Sequence, residues 1–169
     1  MTPQQTPLKA DKHAPFPESR LRVVVWEDSL IERLGHDPRS IYVERYWLAI
    51  LGPSATLLLR RLARDLEDVP DGFEIQTADL AQELGLGSRG GKHSPFWRSV
   101  DRICRFGGAR RHLDLLEVRR KLPPLTARQA QRLPGALRSA HQAWLDDQLL
   151  ARTTRPQMPP IQPHERLAS

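Results

Sequence analysis

The sequence is poor in cysteine, in aromatic residues and in long apolar runs, and these shortages exclude several classes of protein. Its single cysteine, Cys104, rules out an intramolecular disulfide and any cysteine-rich zinc site. The apolar runs, such as Val23 to Trp26, are far shorter than a membrane span. The N-terminus lacks the apolar stretch of a signal peptide. The sequence therefore predicts a cytoplasmic protein without a membrane partner.

Apolar content is also low at both ends of the chain, where proline is frequent. Residues 1–20 and 151–169 cannot bury enough apolar surface to offset the entropy lost on ordering. We therefore predict a disordered tail at each end. The stretch between them, 21–150, is long enough for one modest core and is predicted to be a single domain.

Basic charge is plentiful but unevenly distributed. The chain carries a formal net charge of +6, with 26 Lys/Arg against 20 Asp/Glu. Residues 1–85 have a net charge of −4, residues 86–121 of +7, and residues 122–169 of +3. Such a local excess of cations favours a polyanionic partner. Most of these cations are arginine, which can contact phosphate and guanine in a bidentate manner.

Apolar spacing and end signals predict a mostly helical α+β chain. Helices are expected over 29–34, 40–50, 54–66, 77–85, 94–106, 126–133 and 136–150. Strands are expected over 21–26, 73–76, 109–112 and 115–121, with the last two paired as a hairpin. Thr77, Ser94 and Thr126 are the predicted N-caps of their helices, and Pro95 suits a first helical position.

The helix over 94–106 joins an apolar face to a basic one. Phe96, Val100 and Ile103 are predicted to be buried. Arg98, Arg102 and Arg105 each lie two positions from a buried residue, roughly 200° round the helix, and are expected to face away from the core.

The run from Leu80 to Leu86, followed by this helix and by Phe106-Gly107, resembles the winged helix-turn-helix family. The resemblance covers about 54–121, with 126–150 as additional C-terminal helices. It implies a DNA-binding domain whose second helix enters the major groove while the wing touches the adjacent backbone. The turn from Gly85 to Ser94 is longer than is usual in that family, and its glycines and cations suit a phosphate clamp.

We therefore expect a transcriptional regulator that binds double-stranded DNA without a cofactor or a metal. In a bacterial cell it would be associated with the nucleoid. The predicted DNA-binding residues lie in the turn, the helix and the wing: Arg89, Lys92, His93, Ser94, Arg98, Arg102, Arg105, Arg110, Arg111, Arg119, Arg120 and Lys121.

Two other functions remain open at this stage. Residues 87–90 spell a G-x-x-G between two helices, as in RNA-binding KH domains, so RNA or the ribosome is one alternative. A protein-docking module that contacts RNA polymerase through Tyr42, Tyr46 and Trp47 is the other. The helix over 136–150 either packs on its own core or forms a homodimer.

Catalysis has little support in the sequence, and we expect no enzyme. His36, His93 and His112 are scattered, without the spacing of metal ligands. Cys104 is interpreted as a small core thiol. The glycines at 85, 87 and 90 imitate a dinucleotide fingerprint, but a helix precedes them where that fingerprint requires a strand.

Overall fold

The structure, a computed structural model, describes residues 19–87, 91 and 93–153. Its strands are β1 (Arg20–Val25), β2 (Phe73–Gln76), β3 (Ala109–His112) and β4 (Leu115–Val118). Its α-helices are α1 (Ser29–Leu34), α2 (Leu48–Leu51), α3 (Pro53–Asp68), α4 (Thr77–Glu83), α5 (Pro95–Arg105), α6 (Ala127–Ala130) and α7 (Gly135–Thr153). The predicted mixed α+β class is confirmed.

The four strands form one sheet in the order β2-β1-β4-β3. β1 runs antiparallel to β2 and parallel to β4, and β3 and β4 form the expected antiparallel hairpin. The N-terminal strand therefore separates β2 from the hairpin. Leu113 has a φ of 55° in the hairpin turn.

One apolar core lies between this sheet and the helices, with α3 along its length. Leu58, Leu59, Leu62 and Leu66 of α3 are all buried, because they recur at helical spacing on one face. α5 packs on α3 through Phe96, Val100 and Ile103, the three residues predicted to be buried. The leucine face of α3 thus fixes the position of α5.

The chain before α2 departs from a regular α-helix. Val43–Trp47 is π-helical, and the N–H of Leu48 donates to the carbonyl of Val43, five residues back. The extra residue in this turn lets Tyr42, Tyr46 and Trp47 all enter the core, where each is at most 5% exposed. They cannot form the exposed protein-docking surface considered from the sequence, and that interpretation was wrong.

Several predicted element ends were also wrong. The helix predicted over 126–133 ends at Ala130, and α7 continues to Thr153 instead of ending at 150. Gln76, not Thr77, is the N-cap residue of α4, because Thr77 already belongs to the helix and its N–H and hydroxyl donate to the carbonyl of Ser19. β4 ends at Val118, because the chain then turns to form a bridge between Leu122 and His36. In contrast, Ser94 and Thr126 are N-caps, as predicted.

The first half of α7 packs on the core through an aromatic cluster. His141 is 3% exposed, and its Nε2 lies 3.0 Å from the hydroxyl of Tyr42. The His36 ring stacks on Tyr42 with 3.7 Å between ring centroids. Trp144 packs at an angle on Tyr42, with the ring centroids 4.7 Å apart. α7 therefore packs on its own core here, whereas Leu149 near its end is 62% exposed.

Candidate nucleic-acid interface

α5 is held firmly enough to present a defined outer surface. The Ser94 hydroxyl accepts a hydrogen bond from the N–H of Trp97 at 3.3 Å, and Pro95 occupies the first helical position. Trp97 and Ser99 are also buried, so much of the helix circumference is enclosed. Ser94 therefore serves first as a cap, and its oxygen already accepts one bond.

The outer face of α5 consists of Arg98, Asp101, Arg102 and Arg105, all exposed. Across the residues that the structure describes, Arg98 and Arg105 have no hydrogen-bond or ion-pair partner. Arg102 differs, because its Nε and Nη2 donate to the carbonyl of Ile50 at 3.1 and 2.7 Å. That carbonyl lies in the last turn of α2, where helical carbonyls lack a partner in the helix.

The expectation that the Arg102 side chain projects freely from the outer face of α5 therefore needs correction. Its Cα lies on the outer face, but its guanidinium is bound to α2 instead of projecting freely. This contact ties α5 to the segment before α3. Within the part of the chain that the structure describes, Arg98 and Arg105 can meet a ligand without breaking an internal bond, and Arg102 cannot.

A shallow groove of about 310 Å³ runs beside this face. Arg98, Ser99 and Arg102 line one side, and the junction of α2 with α3, from Leu51 to Ala55, lines the other. Ser99 donates its hydroxyl proton to the carbonyl of Pro95 at 2.8 Å, so its polarity is already satisfied. Arg98 is the cation of this groove that has no partner in the described chain.

The β3–β4 hairpin carries arginines that already have partners. Arg110 forms an ion pair with Glu117 across the strands, which holds the pKa of the Glu117 carboxyl below its usual range. Arg111 lies over the Trp97 ring at 4.0 Å and donates to the carbonyl of Leu113 at 3.0 Å. The stacking of Arg111 on Trp97 places the hairpin against α5.

The basic residues after β4 are paired with acids from the N-terminal part of the chain. Arg119 contacts Asp28 at 2.8 Å, and Arg120 contacts Glu32 at 3.2 Å. Lys121 donates to the backbone carbonyl of Glu32. The pKa of Asp28 is lowered, first by the N–H of Ile31 that it caps and then by Arg119. Arg119 and Arg120 are therefore partly neutralised, whereas Lys121 is held by a hydrogen bond and keeps its charge unpaired among the described residues.

Trp26 adds a further contact that the sequence did not suggest. The guanidinium groups of Arg119 and Arg110 lie over its ring, at 3.8 and 4.7 Å from the centroid. Arg119 has a side chain only 13% exposed, and its Nε is buried without a partner in the described structure. Arg119 is thus as much a packing residue as a charged one.

The partners Trp26, Asp28, Glu32 and Glu117 were all missed from the sequence. Only Glu117 could have been found there, because the hairpin register that joins β3 to β4 places it opposite Arg110. His93 is exposed and its side chain is available. Arg89 and Lys92 lie outside the described residues.

The surroundings of Cys104 disfavour a reactive thiol. Burial raises the pKa of the Cys104 thiol to about 11, as a thiol packed against a core requires. No group of three or more metal-ligating side chains occurs in 19–87, 91 and 93–153. Within the same ranges, no helix has both the length and the apolar character to cross a membrane.

Comparison with known proteins adds little to this picture. No protein-family model matches the chain, and no curated protein matches it significantly. Among solved structures, it is similar to primosome protein DnaB, residues 1–300, from Geobacillus stearothermophilus. The identity is 20% and the TM-score 0.46, over 89% of this chain and 57% of that one. The chain thus spans a little over half of that structure, and a likeness of this degree identifies neither a family nor a function.

Proposed function

We propose that this chain binds duplex DNA as a winged helix-turn-helix protein and acts as a transcriptional regulator. One observation carries the proposal: the outer face of α5 presents Arg98 and Arg105 without partners in the described structure. An arginine that has no internal bond can contact phosphate or guanine at no cost to the fold. α5 would be the recognition helix in the major groove.

The order of the elements supports this proposal. From α3 onward the chain runs helix, β2, α4, α5 and then the β3–β4 hairpin, as expected for a winged helix. The hairpin would be the wing. Because Arg111 stacks on Trp97 of α5, a duplex lying on α5 would pass close to the hairpin.

A salt titration with a random-sequence duplex tests the proposal directly. The logarithm of the affinity should fall linearly with the logarithm of the salt concentration, at a slope of about −0.9 per phosphate contacted. The double variant Arg98→Ala/Arg105→Ala should lose up to two contacts, which makes the slope shallower by up to about 1.8. Arg102 is left intact, because its loss would also release α2.

Arg128→Ala/Arg132→Ala is the matched control. It removes the same charge, from exposed arginines at and just after α6 that have no partner among the described residues. Its salt slope should equal that of the wild type. Equal slopes for all three proteins would contradict the assignment of α5, and no duplex binding at low salt would exclude DNA as the ligand. Tighter binding to single-stranded RNA than to duplex would instead favour the RNA alternative.

The homodimer through 136–150 remains a separate proposal. Leu149 and Leu150, near the end of α7, are 62% and 64% exposed and could pair with a second copy. Equilibrium sedimentation of the wild type and of Leu149→Ser/Leu150→Ser would test it. A monomer at all concentrations would exclude it, and the DNA would then be bound by one chain.

A further inference from the structure

α1 is fixed at its two ends more firmly than along its length. Before it, the N–H of Trp26 donates to the carbonyl of Val118 at 2.8 Å. After it, His36 and Leu122 exchange two backbone hydrogen bonds, at 2.7 and 2.8 Å. We call the segment between these anchors, residues 27–35, the α1 strap.

The α1 strap is held down mainly by charge. No residue of α1 is fully buried, and none belongs to the hydrophobic core. Leu30 and Leu34 point outward and are 52% and 47% exposed. Ile31 is half-buried, and the polar contacts of the strap are those of Asp28 with Arg119 and of Glu32 with Arg120 through its carboxylate and with Lys121 through its backbone carbonyl. This is the reverse of the usual surface helix, which buries its apolar residues and exposes its charges.

Such contacts are displaceable. Arg120 and Glu32 have side chains 33% and 29% exposed, so water reaches this pair and weakens it. Duplex DNA presents a negative charge about every 1.7 Å along its axis. When protein cations bind DNA, condensed counterions are released, and this release favours binding in a way that two carboxylates cannot match. A phosphate backbone can therefore compete with the strap for these cations.

We propose that the α1 strap is an autoinhibitory cover, in which Asp28 and Glu32 occupy a second phosphate-binding surface made of Arg119, Arg120 and Lys121. Duplex DNA bound on α5 displaces the strap and engages these cations. The inference rests on the proposed DNA binding and adds its regulation: the strap sets how many phosphates the protein contacts.

The double variant Asp28→Asn/Glu32→Gln tests the cover. Asparagine caps a helix as well as aspartate does, so the cap that Asp28 forms with Ile31 can persist while the charge is lost. Freeing Arg119 and Arg120 should steepen the salt slope by up to about 1.8 and raise affinity roughly eightfold per added contact at about 0.1 M salt. An unchanged slope in the folded variant would overturn the inference.

The matched control is Asp65→Asn/Glu83→Gln. These two acids pair with Arg61 of α3, so the control adds the same charge to the protein but frees a cation elsewhere. Its slope should remain near that of the wild type. If it steepens as much as the strap variant does, net charge and not the strap is responsible, and the inference fails.

A second measurement needs no variant. Hydrogen exchange in residues 29–34 of the wild type should accelerate when duplex DNA is added, because the strap leaves its place while α5 becomes protected. Unchanged or slower exchange there would overturn the strap. Another outcome is that the wild type binds DNA through Arg98 and Arg105 while residues 29–34 exchange no faster and the strap variant keeps the wild-type salt slope. In that case the inference fails and the proposed function stands. If neither the wild type nor the strap variant binds duplex DNA, the proposed function and the inference fail together.

Discussion

Replacing Tyr42 by phenylalanine should destabilise the protein more than the loss of one oxygen suggests. The Tyr42 hydroxyl accepts a hydrogen bond from the N–H of Leu125 at 2.9 Å and lies 3.0 Å from Nε2 of His141. Both partners are buried, at 8% and 3% exposure. The variant keeps the ring that stacks on His36, so the change isolates the polar contacts.

The expected magnitude follows from the two groups left unsatisfied. A buried donor or acceptor without a partner costs about 1–3 kcal/mol. Two such groups give about 2–6 kcal/mol, a large part of the roughly 5–15 kcal/mol by which a domain is stable. Tyr46→Phe is the control. It loses one bond, from its hydroxyl to the carbonyl of Ala140 at 3.1 Å, and should cost about 1 kcal/mol.

Urea denaturation followed by circular dichroism measures both variants. With an unfolding slope of about 2 kcal/mol per molar urea, Tyr42→Phe should lower the midpoint by about 1–3 M, and Tyr46→Phe by about 0.5 M. The reasoning is refuted if the Tyr42 variant is no less stable than the Tyr46 variant. That result would mean that water satisfies Leu125 and His141 at no cost.

Two further perturbations test other parts of the fold. Burial is the first cause that lowers the pKa of both His36 and His141 below the ordinary 6.5, so the unfolded chain binds protons at a higher pH than the folded one. The stability that the two neutral histidines contribute should be fully present above about pH 6.5 and should decline as pH falls toward the folded pKa. A urea midpoint that does not change between about pH 8 and 5 would contradict this. Gly72→Ala should cost about 1–3 kcal/mol in a urea titration, because φ is 88° there and an added Cβ would lie 2.5 Å from the carbonyl oxygen of Val23. A midpoint equal to that of the wild type would show that the chain around Gly72 adjusts freely.

Much of the secondary structure could be predicted because its signals are local. Ser94-Pro95 marks the start of α5, and Thr126 with Gln129 forms a complete capping box at α6. The leucine spacing of α3 and the valines of β1 needed no information from elsewhere in the chain. The π-helical turn at Val43–Trp47 was missed, because only packing against the core favours an i to i+5 bond over the regular one.

The sheet order could not be predicted, because a strand of four to six residues carries little information about its partner. The ion pairs between distant parts of the chain could not be predicted either. Arg120 and Glu32 are 88 positions apart, and a count along the sequence assigns one to a basic segment and the other to an acidic one. Their contact makes the hairpin end less basic than the count implied. The free arginines of α5 were predicted correctly as exposed, because helical geometry alone places them.

The position of β1 in the sheet has a consequence for how the chain folds during synthesis. β1 can pair with β2 once Gln76 has left the ribosome, since Arg20 pairs with Gln76. Its other edge must remain open until β4 emerges, because Arg22 pairs with Leu115, about 90 residues later, and contacts over such separations form slowly. Until then the valines of β1 present an unpaired edge, the kind of surface that joins other chains. A nascent chain is therefore most exposed to aggregation before β4 joins the sheet, and the step that ends this exposure also brings Arg119 to Asp28.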